Sequence, residues 1–522
     1  MAWDSGYPTE LPYTSSYYTE HAPAHLRLVP LIRGMQPPRI NGSFRLLELG
    51  CGTGTSMVTM GASNPSAEFV GVDFAPAQIA AGQRLVEDAG LSNVKLVEAD
   101  FLEMQHDAGK VFGQFDYVIC HGVYTWVSTE IRSALTQIFK QVMAPGAVLF
   151  LGYNALPGWS GAFTLQRLIS EFARNELGDA DQRVRNALLK VKSLQDGGFQ
   201  GISFDYLPAS IRDHLDDLDN VPKANFRYVA HEYLTQCWSP MFRADVARDM
   251  ADAKLSLAGS TRLLDAFPET IGSEEQRDLM DQFAPDFEPQ LMELVSPHRF
   301  RRDVFVKGDY TLTDTQRTRQ LLDTPVALVR ELEDFEYQLE VHRGAAEIPK
   351  ATYEPLIEAL VGHPRPIGEL VEISRNTGSD LSAEEVMGML ITSRQVMPAV
   401  NLDAKADVAL RRANRAVAEF ALNDITASHL ALGSAVLGAG LPTEPANMAL
   451  YDIVSRRKDG EREVDEETMK DELIAALHAR GETFIEHGET VEDPEQMRKV
   501  AGVAINKGLN DFSSRWSTLG MI

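Results

Sequence analysis

Leu46-Leu47-Glu48-Leu49-Gly50-Cys51-Gly52-Thr53-Gly54 is the stretch that decides the fold. An apolar run, an acid and three alternating glycines describe a buried strand that turns sharply into a helix. Glycine is needed there because only a residue without Cβ takes positive φ at no steric cost and lies flush against a ligand. A second apolar run, Glu68-Phe69-Val70-Gly71-Val72-Asp73, also ends in an acid, 25 positions after Glu48. An acid at the end of the second strand of such a unit is placed to bind ribose hydroxyls. The dinucleotide fingerprint G-x-G-x-x-G wants a third small residue at position 55, which is Thr55 here. The register is G-x-G-x-G instead.

That register, preceded by Glu48, resembles motif I of class I S-adenosylmethionine-dependent methyltransferases, whose loop packs against a cofactor lacking phosphate. The neighbouring segments agree with the resemblance. Val94 to Phe101 is similar to the third strand of that family, whose terminal acid, Asp100 here, contacts the adenine amino group. Phe115 to Cys120 looks like the fourth strand, and Ala147 to Tyr153, after the turn Ala144-Pro145-Gly146, like the fifth. Pro76 to Gly90 and Ser128 to Met143 read as amphipathic crossover helices, with Ile131, Leu135, Ile138, Phe139 and Val142 on one face of the second. The expected fold is α/β, a Rossmann-like class I methyltransferase core with additional mainly helical domains. The resemblance implies S-adenosylmethionine as cofactor, bound by Tyr18, Glu48, Gly50, Gly52, Gly54, Asp73, Phe74, Asp100, Phe101 and His121. One departure is Ala75, where the family often has a Ser or Thr cap before the proline; Ala has no side chain that caps a helix.

At 522 residues the chain is too long for one doubly wound domain. With 44% hydrophobic and 24% charged residues it reads as an ordinary globular protein. Three cysteines, Cys51, Cys120 and Cys237, indicate neither a disulfide framework nor a metal cluster, and no metal site is expected. Met1 to Gly6 lacks a basic and then apolar signal region, and no apolar run reaches membrane-spanning length, so a cytoplasmic protein is expected. The net charge of −26 disfavours phosphate-backbone binding, and no nucleic-acid partner is expected. Acidity helps attract a basic substrate, although solubility alone accounts for it.

Six regions follow from the pattern changes. Residues 1–43 form an N-terminal aromatic segment, with Tyr7, Pro8, Leu11, Pro12, Tyr13, Tyr17 and Tyr18, expected to close over the cofactor as a lid. Residues 44–158 are the cofactor-binding domain. Residues 159–220 are a helical insert whose two apolar stripes (Leu165, Leu168, Ile169 and Phe172, then Val184, Leu188 and Val191) are predicted to mediate self-association as a homodimer. Residues 221–300 form a mainly helical regulatory or middle domain, in which Ser239-Pro240 is a helix start. Residues 301–400 suggest a winged-helix-like module, with helices over Tyr353 to Val361, Ile367 to Asn376 and Ser382 to Thr392. Residues 401–522 are a C-terminal domain containing the acidic stretch Glu461 to Glu472, read as a solvated helix face.

Methyl transfer from a sulfonium is an in-line displacement that depends on alignment and on exclusion of water. In open α/β sheets this chemistry sits at the carboxyl ends of the strands. His121, Tyr124 and Trp126 follow the fourth strand, and Tyr153 and Asn154 end the fifth; these five are the candidate catalytic residues. The first segment lacks the Asn/Asp-Pro-Pro-Tyr signature of amide and exocyclic-amine methyltransferases. Aromatic rings hold an amine by cation–π attraction worth about 0.5–2 kcal/mol. A lysine nucleophile must first lose a proton from a pKa of about 10.4, which desolvation lowers. His121 either accepts that proton or anchors its loop, and Tyr124 and Trp126 either touch substrate or pack.

Four segments carry a closer resemblance: Tyr7 to Tyr13, His121 to Val127, Tyr153 to Trp159 and Tyr228 to Leu234. They look like bacterial methyltransferases with a methyltransferase regulatory domain, a group that includes protein-lysine methyltransferases acting on outer-membrane proteins. The resemblance implies a protein substrate with a lysine side chain as acceptor. A small-molecule methyltransferase and a cofactor-binding regulatory protein without turnover are the alternatives.

Overall fold

The computed structural model describes residues 15–522 except 41, 236, 268–269, 284–287, 342–343, 425–428, 461–464, 487–488 and 492. Strands β1 (Arg45–Leu49), β2 (Glu68–Asp73), β3 (Val94–Glu98), β4 (Phe115–His121) and β5 (Met143–Leu156) form a parallel sheet. Two more strands, β6 (Leu255–Ser260) and β7 (Phe300–Lys307), complete it in the order β3-β2-β1-β4-β5-β7-β6, with β7 antiparallel to both neighbours. A two-residue strand, Met241–Phe242, pairs with the end of β5. Alternation along each strand feeds two cores. Leu47, Val70, Val118 and Leu149 point to one face, and Leu46, Phe69, Tyr117 and Phe150 to the other, all of them buried. This is the α/β Rossmann-like class.

Helix α1 (Thr55–Ser63) follows the glycine loop, and α2 (Pro76–Ala89) crosses from β2 to β3. Pro76 at its first turn and Gly90 in the left-handed conformation after it set the limits of α2. Ala75 makes no side-chain cap, and the Asp73 carboxylate takes over by accepting the Ala75 N–H at 2.9 Å. Ser128 caps α3 (Thr129–Val142), accepting the Ile131 N–H at 3.3 Å.

Several boundaries differ from the sequence reading. Strand β7 lies inside the cofactor sheet, so the 301–400 module begins only after it. Its buried side chains, Leu356, Leu370 and Leu390 among them, share one core with Leu46 and Phe150 of the sheet. There, helices Lys350–Glu358, Ile367–Asn376 and Ala383–Thr392 stand beside a three-stranded antiparallel sheet of Arg365–Pro366, Pro325–Leu328 and Val396–Pro398. Strand β6 lies in a region read as mostly helical, and the helix assigned to Ser239-Pro240 starts at Arg243. The acidic stretch is a helix only from Glu466 (Glu466–Ala479); residues 461–464 lie outside the described residues.

The insert is a three-helix unit of α4 (Phe163–Arg174), α5 (Ala180–Asp196) and α6 (Lys223–Leu234), so the 220/221 boundary cuts through one packed body. Leu165, Ile169, Val184, Leu188 and Val191 are buried against Phe226, Val229 and Tyr233 of α6. Most of the apolar stripes that suggested a homodimer is thus covered within one chain, with Leu168 and Phe172 partly exposed.

The two ends of the chain meet over the glycine loop. Helix α7 (Val408–Asn423) packs on α1 and α2, and the hairpin Ala431–Ser434/Ala439–Pro442 lies along α1. Gly440 is required there, since a Cβ would stand 2.6 Å from Thr59 Cγ2 and 2.9 Å from the Tyr17 ring. Tyr17 is buried; its N–H donates to His429 O at 2.6 Å and its hydroxyl accepts the Gly440 N–H at 2.7 Å. Tyr7, Pro8, Leu11, Pro12 and Tyr13 fall outside the described residues. Tyr17→Phe strands the Gly440 N–H and is expected to lower stability by about 1–3 kcal/mol, read as a shift in the urea midpoint.

Candidate active site

Strand order reverses between β1 and β4, and a cavity of about 1250 Å³ opens at the carboxyl ends of the strands there. Its inner end is the glycine loop. Gly50, Gly52 and Gly54 all have positive φ (79°, 56° and 67°), and the Gly52 N–H donates to Asp73 Oδ2 at 2.9 Å. Asp73 therefore ties the loop to the start of α2 with one oxygen each. Lone pairs remain on both oxygens for a ribose. Asp100, also on the wall, uses Oδ1 to accept the Leu102 N–H at 2.7 Å. Phe74 and Phe101 line the same end.

Glu48 is buried at the end of β1 and its Oε2 has no partner among the described residues. Burial first, then the neighbouring Asp73, pushes its carboxyl up to about 8. Such an orphaned acid, beside glycine faces open to the cavity, fits a ligand with a cationic group. A Cβ on Gly52 would meet only Gln78 Oε1, at 3.0 Å, and one on Gly122 nothing within 4 Å.

His121 sits opposite, at the end of β4. Its ring stacks on Tyr18 (4.2 Å between centroids) and lies parallel to Phe150 (5.5 Å, 4°). His121 Nδ1 is 2.9 Å from Nε2 of His21, a buried residue. Burial pushes His21 down to about 3 and His121 well below its ordinary value, the latter also through His21 and Arg302, so both rings are neutral. Arg302 holds Glu20 at 2.6 Å and lies over the Tyr18 ring.

The outer end is built by the insert. Trp126, Trp159, Tyr206, His231 and Arg299 wall it, with the Arg299 guanidinium 4.3 Å from the centre of the Tyr206 ring. Asn154 lines the floor; it is 3% exposed, and its Nδ2 has no partner among the described residues.

Two of the five catalytic candidates do not reach this cavity. Tyr153 neighbours Asn154 on β5, so the pleat turns the two side chains to opposite faces. The Tyr153 hydroxyl donates to Asp303 Oδ2 at 2.6 Å inside the sheet core, where Arg301, Arg243 and Glu293 complete a buried ionic cluster. Tyr124 is likewise buried, its hydroxyl donating to Asp249 Oδ2 at 2.9 Å. His121, Trp126 and Asn154 do line the cavity, as does every one of the cofactor candidates except Gly54. Gly54 serves packing instead: a Cβ there would stand 2.7 Å from Leu96 Cδ2. His21, Tyr206, His231 and Arg299 were not singled out from the sequence. His231 lies within the Tyr228 to Leu234 segment, which was the available signal for it.

Residues 47–149 match the family of methyltransferase domains, and residues 225–307 match a predicted methyltransferase regulatory domain. The chain is an S-adenosylmethionine-dependent methyltransferase with the class I, Rossmann-like fold. The methyltransferase is 27% identical over 511 residues to an uncharacterized protein of Synechocystis sp., covering 97% of each chain. It is similar in fold to PKMT2 from Rickettsia typhi in complex with AdoHcy, at a TM-score of 0.67 and 18% identity over 97% of this chain and 99% of that one. A second PKMT2 structure aligns with a TM-score of 0.66, 17% identity, 98% of this chain and 100% of that chain. Its cofactor is S-adenosylmethionine, which supplies an electrophilic methyl group on sulfonium. Among the described residues no helix of this methyltransferase is long and apolar enough to cross a membrane.

Proposed function

We propose that this enzyme is a protein-lysine N-methyltransferase of the cytoplasm. The observation that carries the reading is the outer half of the cavity, an aromatic mouth formed by the insert and continuous with the cofactor end. The whole cavity, about 1250 Å³, includes the cofactor end as well as this mouth. The Tyr153 to Trp159 and Tyr228 to Leu234 segments, which carry the resemblance to methyltransferases with a regulatory domain, a group that includes lysine methyltransferases, supply Asn154, Trp159 and His231 to it. Net charge of −26 steers basic surfaces toward the protein and nucleic acids away.

The assigned roles follow from chemistry. Asp73 takes the ribose hydroxyls, Asp100 the adenine amino group, and Glu48 the ammonium of the cofactor's amino acid. Asn154 Oδ1 is an acceptor for an amine N–H at the floor. Lysine attacks as the neutral amine, and desolvation within the cavity lowers the pKa of its ammonium toward that form.

Incubation with methyl-labelled cofactor and host-cell lysate is expected to place label in protein as methyl-lysine. Label confined to low-molecular-weight products would replace this reading with a small-molecule methyltransferase. Tight cofactor binding with no transfer would indicate a regulatory protein without turnover. Trp159→Ala should raise KM for protein substrate by roughly 5–30-fold, the equivalent of about 1–2 kcal/mol of lost aromatic contact, with unchanged cofactor affinity.

Glu48 gives a pH signature. In the free protein its carboxyl is neutral below about 8, whereas pairing with an ammonium needs the carboxylate. Cofactor affinity should therefore rise with pH, about tenfold per unit, up to that value and then level off. Calorimetry across pH 6–9 reads this; Glu48→Gln should bind more weakly and lose the slope.

A further inference from the structure

His121 is held in a fixed orientation. Tyr18 covers one face of its ring at 4.2 Å and Phe150 lies parallel at 5.5 Å, while Phe300 closes a further side at 5.3 Å. With Nδ1 engaged by His21 Nε2 at 2.9 Å, the remaining nitrogen, Nε2, opens on the cavity. Only one proton lies between the two rings, and two arrangements place it. If His121 Nδ1–H donates, His21 must carry its own proton on Nδ1. That nitrogen is buried without a partner among the described residues, so an N–H would be stranded there. If His21 Nε2–H donates, His21 Nδ1 holds only a lone pair, and the stranded donor is avoided. Orphaned buried N–H groups are the rarer and costlier defect.

We propose that His21 is a positioning residue that donates Nε2–H to His121 Nδ1, fixing His121 as a hydrogen-bond donor toward the cavity through Nε2–H. A neutral His121 with both nitrogens so committed has no site for another proton, so it is not the base. The consequence for turnover rests on the lysine reading above: the substrate ammonium gives its proton to water at the mouth before entry. The amine lone pair then forms the N–C bond as the C–S bond breaks, and His121 orients an acceptor without changing its own protonation.

The test is a two-bond ¹H–¹⁵N correlation spectrum of the full chain labelled with ¹⁵N-histidine, without cofactor, the His121 signals being assigned by their loss in His121→Gln. The Nε2–H pattern is expected in the wild type at neutral pH. His21→Phe should let the Nδ1–H pattern appear beside Nε2–H and lower turnover about tenfold, the loss of one hydrogen bond, and His21→Gln, whose amide donates, should restore the single Nε2–H pattern and the rate. An Nδ1–H pattern or an imidazolium in the wild type would overturn the assignment, as would an unchanged Nε2–H pattern in His21→Phe. Should His21→Phe fail to fold, the wild-type spectrum decides alone. A failure of the lysine reading would leave this spectrum as expected, so the two outcomes stay distinct.

Discussion

Asp73→Ala is expected to weaken S-adenosylmethionine binding about 100-fold, a loss of about 3 kcal/mol. The size follows from the two bonds the carboxylate makes without ligand, to the Gly52 N–H and the Ala75 N–H, both at 2.9 Å. Hydrogen bonds to charged groups contribute roughly 1.5–3 kcal/mol each, and the ribose contacts are lost with them. The glycine loop then loses its tie to α2, and α2 loses the substitute for the cap that Ala75 cannot provide. Isothermal calorimetry checks the affinity, with circular dichroism as the control for folding. An unchanged dissociation constant would mean that the loop is held, and the ribose bound, by other groups.

The second large effect belongs to the buried cluster on β7. Asp303 is fully buried between Arg301 (2.9 Å), Arg243 (3.3 Å) and the Tyr153 hydroxyl (2.6 Å). Asp303→Ala leaves the Arg243 guanidinium without its anion and Arg301 with Glu293 alone, and is expected to cost about 3–5 kcal/mol, read from the urea midpoint at neutral pH. Acid gives an independent reading. Burial works to raise the Asp303 carboxyl, but Arg243 and Arg301 outweigh it and push it down to about 2. Its unfolded value is about 3.9. The stabilisation is therefore complete above the unfolded value and is lost as pH falls toward about 2. Asp303→Asn should flatten the wild-type stability profile across that acid window. A wild-type slope retained in the variant would assign the acid sensitivity to other carboxylates.

How much of this was legible in the sequence depended on how local the cause was. The strand–glycine–helix turn at Leu46 to Gly54 and the acid at Asp73 are local, and the structure has them where the pattern places them. The place of strand β7 beside β5 is a pairing across some 150 residues that no local pattern encodes. Strand β6, Leu-Ser-Leu-Ala-Gly-Ser, is short and carries a glycine at φ 150°, so its alternation is broken by a register shift. Tyr153 was misplaced because residues at the carboxyl end of a strand were taken together, although the pleat separates Tyr153 from Asn154. His21 lies between Glu20 and Ala22 in the N-terminal segment, and nothing nearby hints that it will meet a histidine 100 positions away.

The Tyr17–Gly440 bond spans 423 positions, and it fastens the segment that carries Tyr18 and His21 to the site. A ribosome completes the parallel sheet through β5 long before it delivers the hairpin that grips Tyr17. Until then the segment that carries Tyr18 and His21 lacks this anchor. The anchor of the N-terminal wall of the site is therefore made late in synthesis, once residue 440 has left the exit tunnel.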